Sequence, residues 1–245
     1  MSNNVSLTLR YAARTDIGLR RQRNEDSVYA GPRLLAVADG MGGHSHGEVA
    51  SATVIAALSS LDSDPPGGDP LGSLETAITA AGHRLKDMAA RDPKLAGMGT
   101  TLTAMLWDGG TIALAHIGDS RAYMLRGGCL YQITRDHTLV QSLVDDGQMT
   151  PEQAAAHPRR SLLMRALGGS GSVEPDLSLR EAHDGDRYLI CSDGLSGVVG
   201  PQALHETLTA AGDLAEAAEH LIELARQAGG PDNISCVVAE VLTQA

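Results

Sequence analysis

Two stretches, LLAVADGMGG (34–43) and YLICSDGLSG (188–197), share one pattern: an apolar run, a small residue, Asp-Gly, a hydrophobic residue, a small residue and glycine. A short apolar run closed by turn chemistry reads as a buried strand, so Asp39 and Asp193 each stand at a strand exit. Two more stretches put a carboxylate in the same setting. IALAHIGDSR (112–121) carries an apolar run into Gly118-Asp119, and in GGPDN (229–233) Asp232 immediately precedes the apolar ISCVVAEV. An Asp-Gly pair alone is a surface-turn signal. Four such aspartates meeting at one rim of a sheet would repel one another unless cations stood between them, and hard oxygen donors suit Mg2+ or Mn2+. The adjacent glycines admit close backbone approach and can offer a carbonyl as a further ligand.

Outward from these runs, strands are predicted at residues 5–11, 33–38, 100–107, 111–117, 121–125, 129–133, 187–192 and 234–242. Asp108-Gly109-Gly110 and Arg126-Gly127-Gly128 join neighbouring runs as tight hairpins do, so much of the sheet should be antiparallel. Amphipathic spacing predicts helices over 47–61, 73–90 and 213–227, the last opened by Asp213 with Glu216 three residues on, a variant of the capping box. SSLDSDPPGGDPLG (59–72) reads as a loop, and 137–167 as a polar, helix-prone excursion between strands. No linker-like change of composition divides the chain, so residues 1–245 read as a single α+β domain.

With 245 residues, 42% hydrophobic and 20% charged, the chain is an ordinary globular one. Aromatic residues are only 2%, with no Phe, so Leu, Val, Ile, Met and Ala must fill the core. A net charge of −11 argues against nucleic acid or an anionic membrane as partner. Cys129, Cys191 and Cys236 are odd in number and form no CxxC pair, which predicts neither a disulfide framework nor a thiolate zinc site and fits the reducing cytoplasm. The N-terminal residues lack the order of a signal peptide, and no apolar run reaches the roughly 18 residues of a membrane span. The expectation is a soluble, cytoplasmic chain, with a C-terminal anchor in a longer protein left open.

RQRNED (21–26), ADGMGGH (38–44), GTTLT (99–103), IGDSRAY (117–123), RDHTLV (135–140), SDGLSG (192–197) and GGPDNIS (229–235) occur in the order found in metal-dependent type-2C (PPM) Ser/Thr protein phosphatases. The resemblance spans residues 7–241 and is closest to the bacterial branch, in particular the catalytic domains of actinobacterial phosphatases that oppose Ser/Thr kinases. It implies a four-layer α-β-β-α sandwich of two mostly antiparallel sheets, with a metal cleft at one end and a flap at about 141–165.

Residue by residue, the resemblance makes Asp39 the carboxylate bridging two Mn2+ or Mg2+ ions. Asp193 and Asp232 become ligands of the first ion and the Gly40 carbonyl a ligand of the second, with Glu25 and Asp26 in support. It further implies that Arg21 clamps the phosphate, and that a metal-bridging water attacks the phosphorus of phosphoserine or phosphothreonine in line. His44 is the candidate proton donor to the leaving oxygen; His137 receives no catalytic role. Asp119, with Asp193 and Ser161, would hold a third, weaker ion. The expected partners are phosphorylated proteins, Ser/Thr kinases among them. The flap residues Leu162 and Met164 are expected to pack.

Two rivals stand beside this reading. One is a non-enzymatic, phosphatase-like regulatory module; such modules lose metal ligands. The other is a lipase-type hydrolase with Ser120 of Gly118-Asp119-Ser120 as nucleophile.

Overall fold

The structure, a computed structural model, describes residues 6–42, 46–63, 68–168 and 174–244. Among these residues, β1 (Leu7–Asp16), β11 (Ile234–Thr243), β10 (Arg187–Cys191), β7 (Arg121–Arg126) and β8 (Cys129–Gln132) form one sheet in that order. The other sheet runs β2 (Asp26–Ala30), β3 (Leu34–Met41), β5 (Leu102–Trp107), β6 (Thr111–Ile117) and β9 (Asp176–Glu181), with the short β4 (Gly99–Thr100) paired to the end of β3. Every pairing is antiparallel, and the two predicted Gly-Gly hairpins join β5 to β6 and β7 to β8, with Gly109, Gly127 and Gly128 at positive φ.

The sheets face each other across an apolar layer that includes Leu35, Val37, Met105, Leu114, Tyr188 and Ile190. Outside the second sheet lie α1 (Gly47–Leu58) and α2 (Pro70–Arg91), which bury Val54, Leu58, Leu74, Ile78 and Leu85. Outside the first lie α6 (Pro201–Ala210) and α7 (Leu214–Gln227), burying Leu204, Leu208, Leu221 and Ile222. Each face of each sheet is thereby covered, and the predicted four-layer order is present. With no Phe in the chain, small and branched residues fill these layers; Ala36, Ala38, Ala104 and Ala115 are fully buried and let the helices approach the sheet closely.

The differences from the sequence reading concern edges and ends. β2 and β9 escape detection because they are only partly buried and read DSVYA and DLSLRE rather than as apolar runs. α6 was also unpredicted. The helix placed at 47–61 stops at Leu58 and passes into a 3-10 turn over Ser59–Asp62, while α2 starts earlier than expected, capped by Asp69 with Pro70 at its first position. Asp213 caps α7 by accepting from the amides of Ala215 and Glu216; the complete reciprocal box occurs instead in α4 (Pro151–Ala155), between Thr150 and Gln153.

The excursion between β8 and β9 holds α3 (Leu139–Asp145) and α4 and is pinned at its base by bridges Thr138 to Leu163 and Thr100 to Leu167. Leu162 and Met164 do not pack as expected: they are 47% and 61% exposed. Among the described residues no helix is long and apolar enough to cross a membrane.

Candidate metal centre

The aspartates singled out in the sequence come together where the two sheets end side by side. β2 and β3 place Asp26 directly across from Asp39, so two carboxylates face each other within one sheet. The opposite sheet contributes Asp193, at the start of the one-turn helix α5 (Asp193–Ser196), and Asp232, just before β11. Asp119 follows β6 and is buried.

Backbone and hydroxyl contacts hold this rim rigidly. The Asp39 amide donates to Thr101 Oγ1 at 3.0 Å, and the Thr101 amide donates back to the Asp39 carbonyl at 2.9 Å. Ser192 Oγ donates to Asp26 Oδ2 at 2.8 Å, tying the second sheet's carboxylate to the first sheet's turn. Asn233, which the motif reading left without a role, fastens two loops: its Oδ1 accepts from the Glu25 amide at 2.8 Å, and its Nδ2 donates to the carbonyls of Ile17 and Arg23 at 2.9 and 2.8 Å. Its only sequence signal was an amide side chain at a strand entrance.

The glycines are required by proximity. A Cβ on Gly40 would run into the backbone of Gly47 and Glu25, and one on Gly194 into the Asn233 carbonyl.

The electrostatics are those of carboxylates crowded out of water. Burial, with the charges of Asp26 and Asp193 behind it, raises Asp39 well above the usual carboxylate range. Burial also pushes Asp26 to about 6 and Asp119 to about 8, and raises Asp193 and Glu25. Oδ1 of Asp26 and Oδ1 of Asp193 are buried with no hydrogen-bond partner. Orphaned carboxylate oxygens with repelling neighbours and, among the described residues, no sulfur or imidazole donor beside them are what a hard divalent cation relieves. The donor set therefore fits Mn2+ or Mg2+, although among the described residues no three acidic, His or Cys side chains are already closed around one point. Asp232 is turned instead toward Arg21, whose guanidinium donates to its Oδ2 at 2.6 Å.

Arg21 is exposed at the rim of this acidic cluster. Ser161, exposed in the flap, lines the same cleft of about 380 Å³ as Asp119 and Asp193, together with Arg160 and Thr138. His44 lies outside the described residues. Ser120 is fully buried, with its Oγ hydrogen-bonded to Thr101 Oγ1 at 2.8 Å, so it cannot meet a substrate as the lipase-type rival requires.

Residues 20–242 match the protein phosphatase 2C family model. The chain belongs to this family. It is 58% identical to the serine/threonine protein phosphatase PstP of Mycobacterium tuberculosis over 97% of its own length, and spans about half, 46%, of that curated relative. A crystal structure of the Mycobacterium tuberculosis phosphatase superposes with a TM-score of 0.93, covering 97% of this chain and 100% of that one. A crystal structure of the PstP catalytic domain in complex with two manganese ions, 57% identical, superposes at 0.91 over 96% of this chain and 99% of that one. The serine/threonine phosphatase stp of Listeria monocytogenes is 36% identical, over 93% of this chain and 94% of that one. The fold is therefore that of the protein phosphatase 2C family, and Asp39, Asp193 and Asp232 are all retained, which leaves the regulatory-module alternative without support.

Proposed function

We propose that this chain is the catalytic unit of a protein phosphatase that hydrolyses phosphoserine and phosphothreonine with two inner divalent ions, Mn2+ or Mg2+. The single observation that carries the reading is the convergence of Asp39, Asp193 and Asp232 at one rim, with buried partnerless oxygens on Asp26 and Asp193 and the guanidinium of Arg21 at its edge. The bound ions supply Lewis acidity and an activated water at neutral pH.

The protein's own groups do the rest. Asp39, on β3 opposite Asp26 of β2, would serve both ions; Asp193 and Asp232 would complete one ion's site, and the Gly40 carbonyl would join the other's. Arg21, held among the described residues only by Asp232 at the exposed rim, exchanges that contact for two phosphoryl oxygens, a pairing its planar fork suits. Asp119, Asp193 and Ser161 line the flap side of the cleft, where a third, weaker ion would orient substrate. His44 protonates the leaving oxygen. Phosphorylated proteins in the cytoplasm, Ser/Thr kinases among them, are the expected substrates.

Purified protein stripped by chelator should lose hydrolysis of an aryl phosphate and a phosphothreonine peptide, and regain both with Mn2+. Hydrolysis that persists in chelator would overturn the reading.

A further inference from the structure

The two sheets do not close equally on both sides. On one side β1 and β2 are neighbours; on the other, β8 and β9 stand apart, and between them lies a cleft of about 650 Å³, larger than the flap-side cleft and lined by none of the proposed metal ligands. The apolar layer between the sheets runs into it: Leu114, Met124 and Ile133 form its floor, with Tyr131 at its mouth, 49% exposed.

Its charged groups are not equivalent. Arg126 is paired with Asp186 at 2.6 Å, Arg135 with Asp145, and Asp176 with both Arg165 at 2.8 Å and His137 at 3.0 Å. Arg180, on the inner face of β9, forms no ion pair among the described residues. Its Nε is buried without a partner, and its guanidinium makes only a long 3.5 Å bond to the Ile133 carbonyl. In a chain of net charge −11, an uncommitted guanidinium in a cleft with an apolar floor is conspicuous, because a buried donor left unpaired is costly and a charged one more so.

We infer that this cleft binds a small amphipathic anion: an apolar or aromatic body on Leu114, Met124 and Ile133, and one carboxylate, sulfonate or phosphate group on Arg180. The volume lies within the range of small-molecule sites, and the lining sets five apolar or aromatic side chains, Leu114, Met124, Tyr131, Ile133 and Leu177, among polar ones whose charged members other than Arg180, namely Arg126, Arg135 and Asp176, are already paired. The cleft also backs onto the metal centre. Asp176 in its wall bonds His137 Nε2, and His137 Nδ1 accepts the Gly118 amide at 3.1 Å, next to Asp119.

Anilinonaphthalene sulfonate, an aromatic body with one sulfonate, is the probe, titrated by fluorescence into Mn2+-loaded protein. Saturable single-site binding is expected. Arg180→Met should weaken it tenfold or more, as loss of a charge-assisted hydrogen bond does, and Ser178→Phe, which fills the cleft from β9, should abolish it. Both variants should keep Mn2+-dependent hydrolysis, which reports that they fold, and Arg21→Ala should leave probe binding unchanged. The inference is overturned by no saturable binding, by indifference to both cleft variants, by loss in Arg21→Ala instead, which places the probe at the metal centre, or by equal affinity for the uncharged phenylnaphthylamine.

Discussion

In ADGMGG the strand does not end at its aspartate: β3 runs through Asp39 and Gly40 to Met41, flanked by β2 and then β4. In SDGLSG the strand stops at Cys191, Ser192 caps the turn, and Asp193 opens the helix α5. Near-identical sequence thus gives extended backbone once and helical backbone once. The difference comes from the neighbours. Gly40 pairs with Thr100 of β4 on one side and donates its amide to the carbonyl of Glu25, just before β2, at 3.2 Å on the other, which keeps the chain extended. Gly194 is pressed against the Asn233 carbonyl, and beyond Cys191 no β7 residue remains to pair with, so the chain turns and satisfies its amides locally, Leu195 donating to the Ser192 carbonyl at 3.1 Å. Two local structures converge on one requirement, a carboxylate presented at the rim.

If both turns present equivalent ligands, Asp39→Asn and Asp193→Ala should each cut Mn2+-dependent phosphopeptide hydrolysis by roughly a thousandfold or more, the scale of several kcal/mol of lost metal assistance. Chelated Asp39→Asn should be at least as stable to urea as wild type, because it removes a charge that its neighbours repel. Activity within tenfold of wild type in either folded variant would break the equivalence.

The glycines come next. Gly40→Ala and Gly194→Ala should each cost roughly 3 kcal/mol or more in a denaturation experiment, since backbone rather than a mobile side chain stands where the methyl group would go. Gly110→Ala, with open space around it, is the control and should change stability by less than about 1 kcal/mol. A mild effect at Gly194 alone would mean that the α5 turn, unlike the β3 one, can shift.

The third turn, Gly118-Asp119, is held by imidazoles instead. His116 is 2% exposed, bonded to Thr103 Oγ1 at 2.9 Å and the Arg135 carbonyl at 3.0 Å, with its ring centroid 4.8 Å from that of His137. Burial, and then the neighbouring His137, lower its pKa from 6.5 to about 4. The fold thus favours neutral His116, giving stability that is complete above about pH 6.5 and lost as pH falls toward 4, on the order of 2 to 3 kcal/mol. Urea midpoints of wild type and His116→Gln across that window should converge as the pH drops. Parallel curves would show that His116 titrates normally.

The smallest effect is expected at Arg21. Its only hydrogen bond among the described residues is to Asp232, so Arg21→Ala should leave thermal stability nearly unchanged and raise KM for phosphopeptide about tenfold, with kcat changing less. An unchanged KM would remove Arg21 from phosphate binding.

The sequence by itself determined the elements that are buried on both sides and the residues that follow them. β3, β5, β6, β10 and β11 are apolar runs because both faces are covered, and Asp39, Asp119, Asp193 and Asp232 are legible because turn chemistry punctuates those runs. β2 and β9 were not legible, since DSVYA and DLSLRE carry no apolar run and no Gly-Gly hairpin announces them, as one does for the exposed edge strand β8. Only the tertiary structure decided that the four strand ends share one rim, that Asp26 faces Asp39, that Asn233 ties the RQRNED and GGPDN loops together, and that Arg180, between β8 and β9, has no countercharge among the described residues. Hydrophobic periodicity reports how deeply a segment is buried. Which carboxylates repel, and which oxygens go unpaired, depends on distances between residues far apart in the chain, and those exist only once the sheets have packed.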